Sequence, residues 1–246
     1  MADMRTIAIV QARMGSTRLP GKVLLDLGGE TVLARGLRRL RRASLIRQVV
    51  VATTDSAEDD AIVHECERLG MAHFRGSEED VLDRYYRAAE AAGAQAVVRI
   101  TSDCPLVEPE IIDKVIRAFL GRKPDYASNT LRRTYPRGLD TEIMTWDALA
   151  RTWREAQRAY QRSHVTSYMY ENPDRFELLA VTGESDYSSY RWTVDTPEDL
   201  SFVRAVYERM GNHDSFSWRE VLALLEREPT LLELNRHIAQ KALQEG

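Results

Sequence analysis

The sequence predicts an α/β protein of three layers, α/β/α, built on a mostly parallel sheet. Three runs rich in β-branched residues, at 6–11, 48–53 and 96–101, are short and continuously apolar. Strands buried on both faces of a parallel sheet have that character. Amphipathic stretches at 31–43, 57–69, 79–92 and 108–120 separate and follow them. Strand–helix alternation of this kind requires right-handed crossovers.

The elements follow in order. Thr6-Ile7-Ala8-Ile9-Val10-Gln11 forms the first strand, 48–53 the second, and a weaker strand falls near His73 and Phe74. Ser56 precedes Glu58, Asp59 and Asp60, acids that favour a helix N-terminus. Pro109 suits a first helical turn. In the second half, 139–144, 176–181 and 190–194 read as strands, and 146–170 as helical. Thr196 and Asp199 have the spacing of a capping box with Pro197 between them, which opens a helix to about Met210. Helices at 220–227 and 231–243 close the chain. Arg38, Arg39, Arg41 and Arg42 read as a solvated helix face. Trp153, Tyr160 and Tyr168 recur at helical separations of seven and eight; they form a packing stripe or a dimer surface. No linker or repeat interrupts the chain, so residues 1–246 read as one domain with an inserted or appended subregion at about 122–185.

Composition bounds the function. The chain is 43% apolar, enough for a sizeable core, and its 34 basic and 38 acidic residues leave a net charge of −4. That mildly acidic balance argues against broad binding to nucleic acid while allowing a local basic pocket. No run reaches membrane-spanning length, and the N-terminus lacks a secretory cleavage pattern. Cys66 and Cys104 are too few for a disulfide framework or a four-thiolate zinc site. A cytoplasmic protein is expected.

The strongest chemical signal follows the first strand. Gln11-Ala12-Arg13-Met14-Gly15-Ser16-Thr17-Arg18-Leu19-Pro20-Gly21-Lys22 places three basic side chains among two glycines and two hydroxyls. Glycine lets backbone N–H groups approach an anion, and arginine and lysine add forked and point-like donors. A loop at the carboxyl end of a parallel strand is also where open α/β sheets bind ligands. The loop is not a Walker A motif, because Gly15 and Gly21 are six apart and Val23 follows Lys22. Phosphate binding is the reading, against a plain basic surface loop. Asp103 in Thr101-Ser102-Asp103-Cys104-Pro105-Leu106 follows the 96–101 strand, either as a turn former or as a carboxylate in the crevice. Asp195 ends the expected 190–194 strand and is not needed by the cap that follows it. Two carboxylates at two strand ends suit Mg²⁺, which takes one or two protein carboxylates plus phosphate oxygens and water.

Other residues have competing readings. Ala12 and Thr53, just past two strand ends, should flank a nucleotide. Arg84 reaches base or ribose, or else pairs with Asp80 four residues back on an exposed helix face. Arg137, Asp140 and Glu142 are acceptor-binding candidates. Asp140 and Glu142 would share one face of a strand, and a salt-bridged strand edge explains them as well. His64 and Cys66 are two apart on a helix and do not form a metal pair. Cys104 reads as a packing residue. His164 has either an acceptor, a partner-subunit or a structural role.

The arrangement Gln-Ala-Arg-x-Gly-Ser-x-Arg-Leu-Pro-Gly-Lys, Asp-Cys-Pro-Leu at 103–106 and Val-Asp-Thr-Pro-Glu-Asp-Leu at 194–200 resembles the cytidylyltransferases that make CMP-activated acidic sugars. Residues 75–85, 135–142 and Ser163-His164-Val165-Thr166 are similar to the spore-coat polysaccharide branch. Ser102 stands where the octulosonate enzymes carry glycine. The resemblance covers about 5–210 and implies a nucleotide-diphospho-sugar-transferase fold of GT-A-like type. It further implies Mg²⁺-dependent transfer of CMP from CTP to a small acidic acceptor, with release of pyrophosphate, by a homodimer. It implies that Arg13, Arg18 and Lys22 hold the triphosphate and that Asp103 and Asp195 are metal ligands. Taken with the positional readings above, Arg13, Lys22 and Asp103 are the catalytic candidates, and Ala12, Arg13, Gly15, Ser16, Arg18, Lys22, Thr53, Arg84 and Asp103 the nucleotide-binding candidates. Two alternatives remain at this point. One is transfer onto a phosphate- or phosphonate-bearing acceptor held by Arg132, Arg133 and Arg137. The other is a non-catalytic nucleotide-binding module or degenerate glycosyltransferase.

Overall fold

A computed structural model describes residues 4–240. Seven strands form one sheet in the order β3-β2-β1-β4-β6-β5-β7. The first four are β1 (Thr6–Gln11), β2 (Gln48–Thr54), β3 (Ala72–Gly76) and β4 (Ala96–Thr101), all mutually parallel. β5 (Tyr126–Ser128), β6 (Glu142–Thr145) and β7 (Leu178–Ala180) extend the sheet beyond β4, with β6 antiparallel to both of its neighbours. Gln11 lies in register with both Ala52 and Thr101. The chain therefore leaves β1 and β4 at one level of the sheet, close to the end of β2. β1 also divides the strands that run outward on one side from those on the other. That is a topological switch point, where open α/β sheets bind ligands.

Side-chain alternation on buried strands builds two cores. Ala8, Val10, Val49, Val51, Val98 and Ile100 face α1 (Val32–Leu40), α2 (Asp60–Arg68) and α4 (Pro109–Arg122). Ile7, Ile9, Val50, Ala52 and Val97 face α3 (Val81–Ala91), α5 (Trp146–Glu155) and the short α7 (Ser167–Glu171). The three expected layers are thus present. A third core joins Trp192 and Val194 to α8 (Pro197–Arg209) and α9 (Trp218–Arg227). No helix among the described residues is long and apolar enough to cross a membrane.

Several elements differ from expectation. The 146–170 helix is three: α5, α6 (Ala159–Ser163) and α7. Ala156 turns extended after α5, and Val165 takes a left-handed φ of 39°. Arg162 in α6 instead pairs with Asp80, the N-cap of α3, at 2.5 Å. A tertiary ion pair thus overrides local helical periodicity. The 139–144 strand shortens to β6, leaving Asp140 outside it, and 176–181 shortens to β7. Residues 190–194 make only an isolated bridge, Arg137 to Arg191. The 231–243 helix is a 3₁₀ segment, Pro229–Leu234, followed by turns; 241–243 lie outside the described residues. Trp153 stacks on Tyr86 of α3, with ring centroids 4.2 Å apart, while Tyr160 and Tyr168 sit on separate helices, so no single stripe forms.

The arginine-rich face of α1 is not uniformly solvated. Arg39 is fully buried. It donates to the carbonyls of Val107 and Phe216 and pairs with Glu108 at 3.1 Å. Arg35 is also buried and donates to Leu27, Gly28 and Asn212 carbonyls. These guanidiniums tie α1 to the loop before α9. Removing one partner of a buried pair leaves the other uncompensated. Arg39→Met should therefore reduce unfolding free energy by about 3–5 kcal/mol. Arg41→Ala, on the exposed face, should change it by less than about 0.5 kcal/mol. Urea denaturation of both variants checks the contrast.

Candidate active site

The basic loop is built outward from β1. Ala12 continues the sheet by donating its N–H to the Ala52 carbonyl. Met14 then donates its N–H to Asp59 Oδ1 at 2.7 Å, and its carbonyl accepts from Ser16 and Gly21. Asp59 also accepts from both Thr53 and Thr54 hydroxyls and from Thr54 N–H. Burial would raise the Asp59 carboxyl, but these bonds hold it below its ordinary value. Asp59 is therefore the anchor of the loop's base. Gly21, at φ 65°, closes the turn in the left-handed region and starts a 3₁₀ turn at Lys22–Leu24. Val23 is buried there, and the Lys22 side chain is almost wholly enclosed within the crevice.

Two acids meet that lysine. Asp103 follows β4 in a turn whose carbonyl accepts from Val194 N–H at 2.8 Å and the Thr193 hydroxyl at 3.2 Å. On its other side, Arg137 donates its N–H to the Tyr190 carbonyl and accepts from Trp192 N–H. Gly138, at φ 105°, permits this approach: a Cβ there would lie 2.6 Å from the Trp192 carbonyl carbon. Asp195 is thereby held against the sheet end. Lys22 Nζ lies 2.8 Å from Asp103 and 2.7 Å from Asp195. Arg18 reaches Asp195 at 3.2 Å, and Arg191 at 2.8 Å.

The charges reinforce one another. Burial pushes the Asp103 carboxyl up, yet the Lys22 ammonium outweighs it and brings the carboxyl to about 2. Burial likewise favours loss of the Lys22 proton, and Asp103 and Asp195 together reverse that and raise its pKa. Two carboxylates thus converge on one cation position. The described residues contain no group of three or more His, Cys, Asp or Glu able to hold a metal. The pair fits Mg²⁺ as a set of two carboxylates, the number it takes when phosphate oxygens complete its shell.

The sequence model of the cytidylyltransferase family matches residues 7–227. The chain belongs to the cytidylyltransferases. It is 38% identical to an uncharacterized protein of Methanocaldococcus jannaschii over 98% of this chain and 99% of that one. It is 36% identical to the spore coat polysaccharide biosynthesis protein SpsF of Bacillus subtilis over 90% of this chain and 94% of that one. A solved cytidylyltransferase from Leptospira borgpetersenii superposes with a TM-score of 0.91 at 33% identity, covering 96% of this chain and all of that one. The fold is accordingly of the nucleotidyltransferase type, and the protein is a CTP-dependent nucleotidyltransferase.

Around its central triad this cytidylyltransferase arranges the remaining candidates unevenly. Arg13 is exposed and has no ion pair among the described residues. Gly15 is exposed and lies beside Glu78: a Cβ on it would sit 3.8 Å from that carboxylate; Ser16 is half-buried. Thr53 is buried with its hydroxyl on Asp59, so it supports the loop from below in place of a direct nucleotide contact. Arg84 is buried and does not pair with Asp80. It donates to the Ser77 carbonyl at 2.6 Å, leaves Nε without a partner, and lies near Arg13, Asp55 and Asp59. Arg137 is half-buried and its guanidinium bonds to no described residue. Asp140 instead takes Arg133 in a two-pronged pair. Glu142 is fully enclosed and committed to Arg99, Tyr126 and Thr166, which gives it a structural part in place of the acceptor contact expected of it. Burial pushes the Cys66 thiol up to about 12 and raises that of Cys104 too, as for packing residues. His64 is exposed while Cys66 is buried.

Sequence reading passed over Asp59 and Arg191. Asp59 sat among three consecutive acids that a helix start already explained, and Arg191 lay inside an expected strand.

The lowered Asp103 carboxyl gives a pH signature. An ordinary Asp titrates near 3.9, so this pairing stabilises the fold above that pH and is lost as pH falls towards about 2. Without the ammonium, burial dominates and the folded-state value rises above the unfolded one. Stability is then lost as pH rises through it. Lys22→Met should melt about 3–8 °C below the wild type at pH 8, with a smaller gap at pH 5. Equal gaps at the two pH values would contradict the assignment.

Proposed function

We propose that this cytidylyltransferase moves CMP from CTP onto a small acidic sugar and releases pyrophosphate, with Mg²⁺ held by Asp103 and Asp195. The observation that carries the reading is the convergence of both carboxylates on the Lys22 ammonium beside the basic loop. When bound, the cation supplies charge neutralisation at the α-phosphate. Exposed Arg13, together with Arg18, grips the triphosphate. Lys22 turns from the acids to the departing phosphates, where a positive charge is worth most in a water-poor cleft. In the free chain the Lys22 ammonium holds the Asp103 carboxyl well below the ordinary carboxylate range, and once Lys22 turns away the bound cation would take over that charge. The acceptor hydroxyl attacks the α-phosphorus, the α–β phosphoanhydride bond breaks, pyrophosphate leaves, and the hydroxyl proton passes to water.

The nature of the acceptor is supported by Arg137. Its guanidinium bonds to no described residue, whereas the neighbouring Arg133 is neutralised by Asp140. One free fork suits one carboxylate, and a doubly charged phosphate would call for more. The similarity to the spore coat protein supports a place in polysaccharide biosynthesis. The same reading has the chain working in the cytoplasm as a homodimer.

Mass spectrometry of products from CTP, Mg²⁺ and a panel of 2-keto acid sugars and phosphorylated metabolites tests the proposal. A CMP adduct of a keto acid sugar is expected, and adducts confined to phosphorylated acceptors would overturn it. Lys22→Met and Asp103→Asn should each lower kcat about 10²–10³-fold in a pyrophosphate-release assay. Arg137→Ala should act mainly on the acceptor KM, raising it by about tenfold.

A further inference from the structure

Asp195 is aimed by a network that reaches past residue 227, where the match to the family model ends. Arg191 has all three guanidinium nitrogens engaged. Nη2 donates to Asp195 Oδ2 at 2.8 Å and to Asp199 Oδ2 at 2.9 Å, Nε donates to Asp199 Oδ1 at 2.9 Å, and Nη1 donates to Gln240 Oε1 at 2.7 Å. Asp199 is wholly buried in the first turn of α8. It also accepts the backbone N–H of Asp195 at 3.0 Å and that of Thr196 at 3.1 Å. It thus fixes the backbone of Asp195 and, through Arg191, the side chain as well. Asn235, only 3% exposed, completes the network. Its Nδ2 donates to the Arg191 carbonyl at 2.9 Å and to Asp199 Oδ1 at 3.0 Å. Leu231, in the 3₁₀ segment before it, packs into the core formed with α8 and α9 and holds Asn235 there.

A capping function alone needs only Thr196 and Asp199. It does not need a guanidinium fork, nor two amides brought from 36 and 49 residues away along the chain. A planar fork locked at every nitrogen fixes direction as well as charge. Buried networks in which every member is bonded are rigid.

We propose that Asn235 and Gln240 are positioning residues for the nucleotidyl-transfer site, acting through Arg191 and Asp199 to hold Asp195 in its cation-binding orientation. The C-terminal segment after the family-matched region, which ends at 227, is thereby part of the active-site apparatus. This inference rests on the reading of Asp103 and Asp195 as the metal pair.

The test is calorimetric titration of the full chain with CTP, in Mn²⁺ and separately in EDTA, without acceptor. Asn235→Ala should weaken CTP binding in Mn²⁺ by about 3- to 10-fold, less than loss of a direct partner of a metal ligand. Binding in EDTA should be unchanged. Gln240→Ala, at an exposed position that leaves the core intact, should shift the same way by a smaller factor. Arg236→Ala, whose side chain pairs with Glu233 on the surface, should change neither. If both amide variants keep their full Mn²⁺ enhancement, or lose affinity equally in Mn²⁺ and EDTA, the positioning role is wrong while the metal reading stands. If the wild type itself shows no Mn²⁺ enhancement, the metal reading fails and this inference fails with it.

Discussion

Lys22 closes a charge triangle whose corners come from three distant parts of the chain: 81 residues separate it from Asp103 and 173 from Asp195. The lysine and both acids are largely withdrawn from water. None of the three could be placed there alone without a large desolvation penalty. Together they compensate, and that compensation fixes where the loop after β1, the turn after β4 and the 191–195 segment meet. The cleft is defined by that meeting.

The rest of the site reads as support for the triangle. Asp59 holds the base of the basic loop from beneath. Gly138 lets the 191–194 segment pass close enough for Asp195 to reach the end of the sheet. Arg191 and Arg18 crowd a second and third cation onto Asp195. Such a surplus of positive charge around one carboxylate suits a site that must accept a triphosphate carrying several negative charges. A lone acid between two buried neighbours would repel it. The same chemistry explains how Asp103 and Asp195 can sit close together here before any nucleotide arrives: the Lys22 ammonium lies between them.

Much of this was legible in the sequence, and the failures have physical causes. β1, β2 and β4 announced themselves because strands buried on both faces need no alternation. The basic loop after β1 was legible because composition and position coincide. Asp103 and Asp195 were marked by where they follow β4 and precede the α8 cap. That Lys22 sits between them was not legible, since no local pattern reports contacts across such separations. Arg39 looked like a surface charge, because burial of its guanidinium depends on carbonyls supplied by the remote 212–216 loop. The 190–194 run has strand-like residues, but its backbone hydrogen bonds go to Arg137 and to the Asp103 carbonyl, so it makes only a bridge. Glu142 seemed available to a ligand until β6 placed it opposite Arg99. Asp59 was hidden by its innocuous neighbours, and its role emerges only where β2 and the β1 loop converge.

On the proposed mechanism, one place on the cleft floor would serve two cations in turn, the Lys22 ammonium in the free chain and a divalent ion once nucleotide is present. Electron paramagnetic resonance of Mn²⁺ titrated into the protein, with and without CTP, measures this directly. Tight uptake of Mn²⁺ that requires CTP is the predicted result, with uptake abolished in Asp103→Asn. Uptake of equal strength in the absence of nucleotide, or uptake that survives the loss of the Asp103 carboxylate, would contradict it.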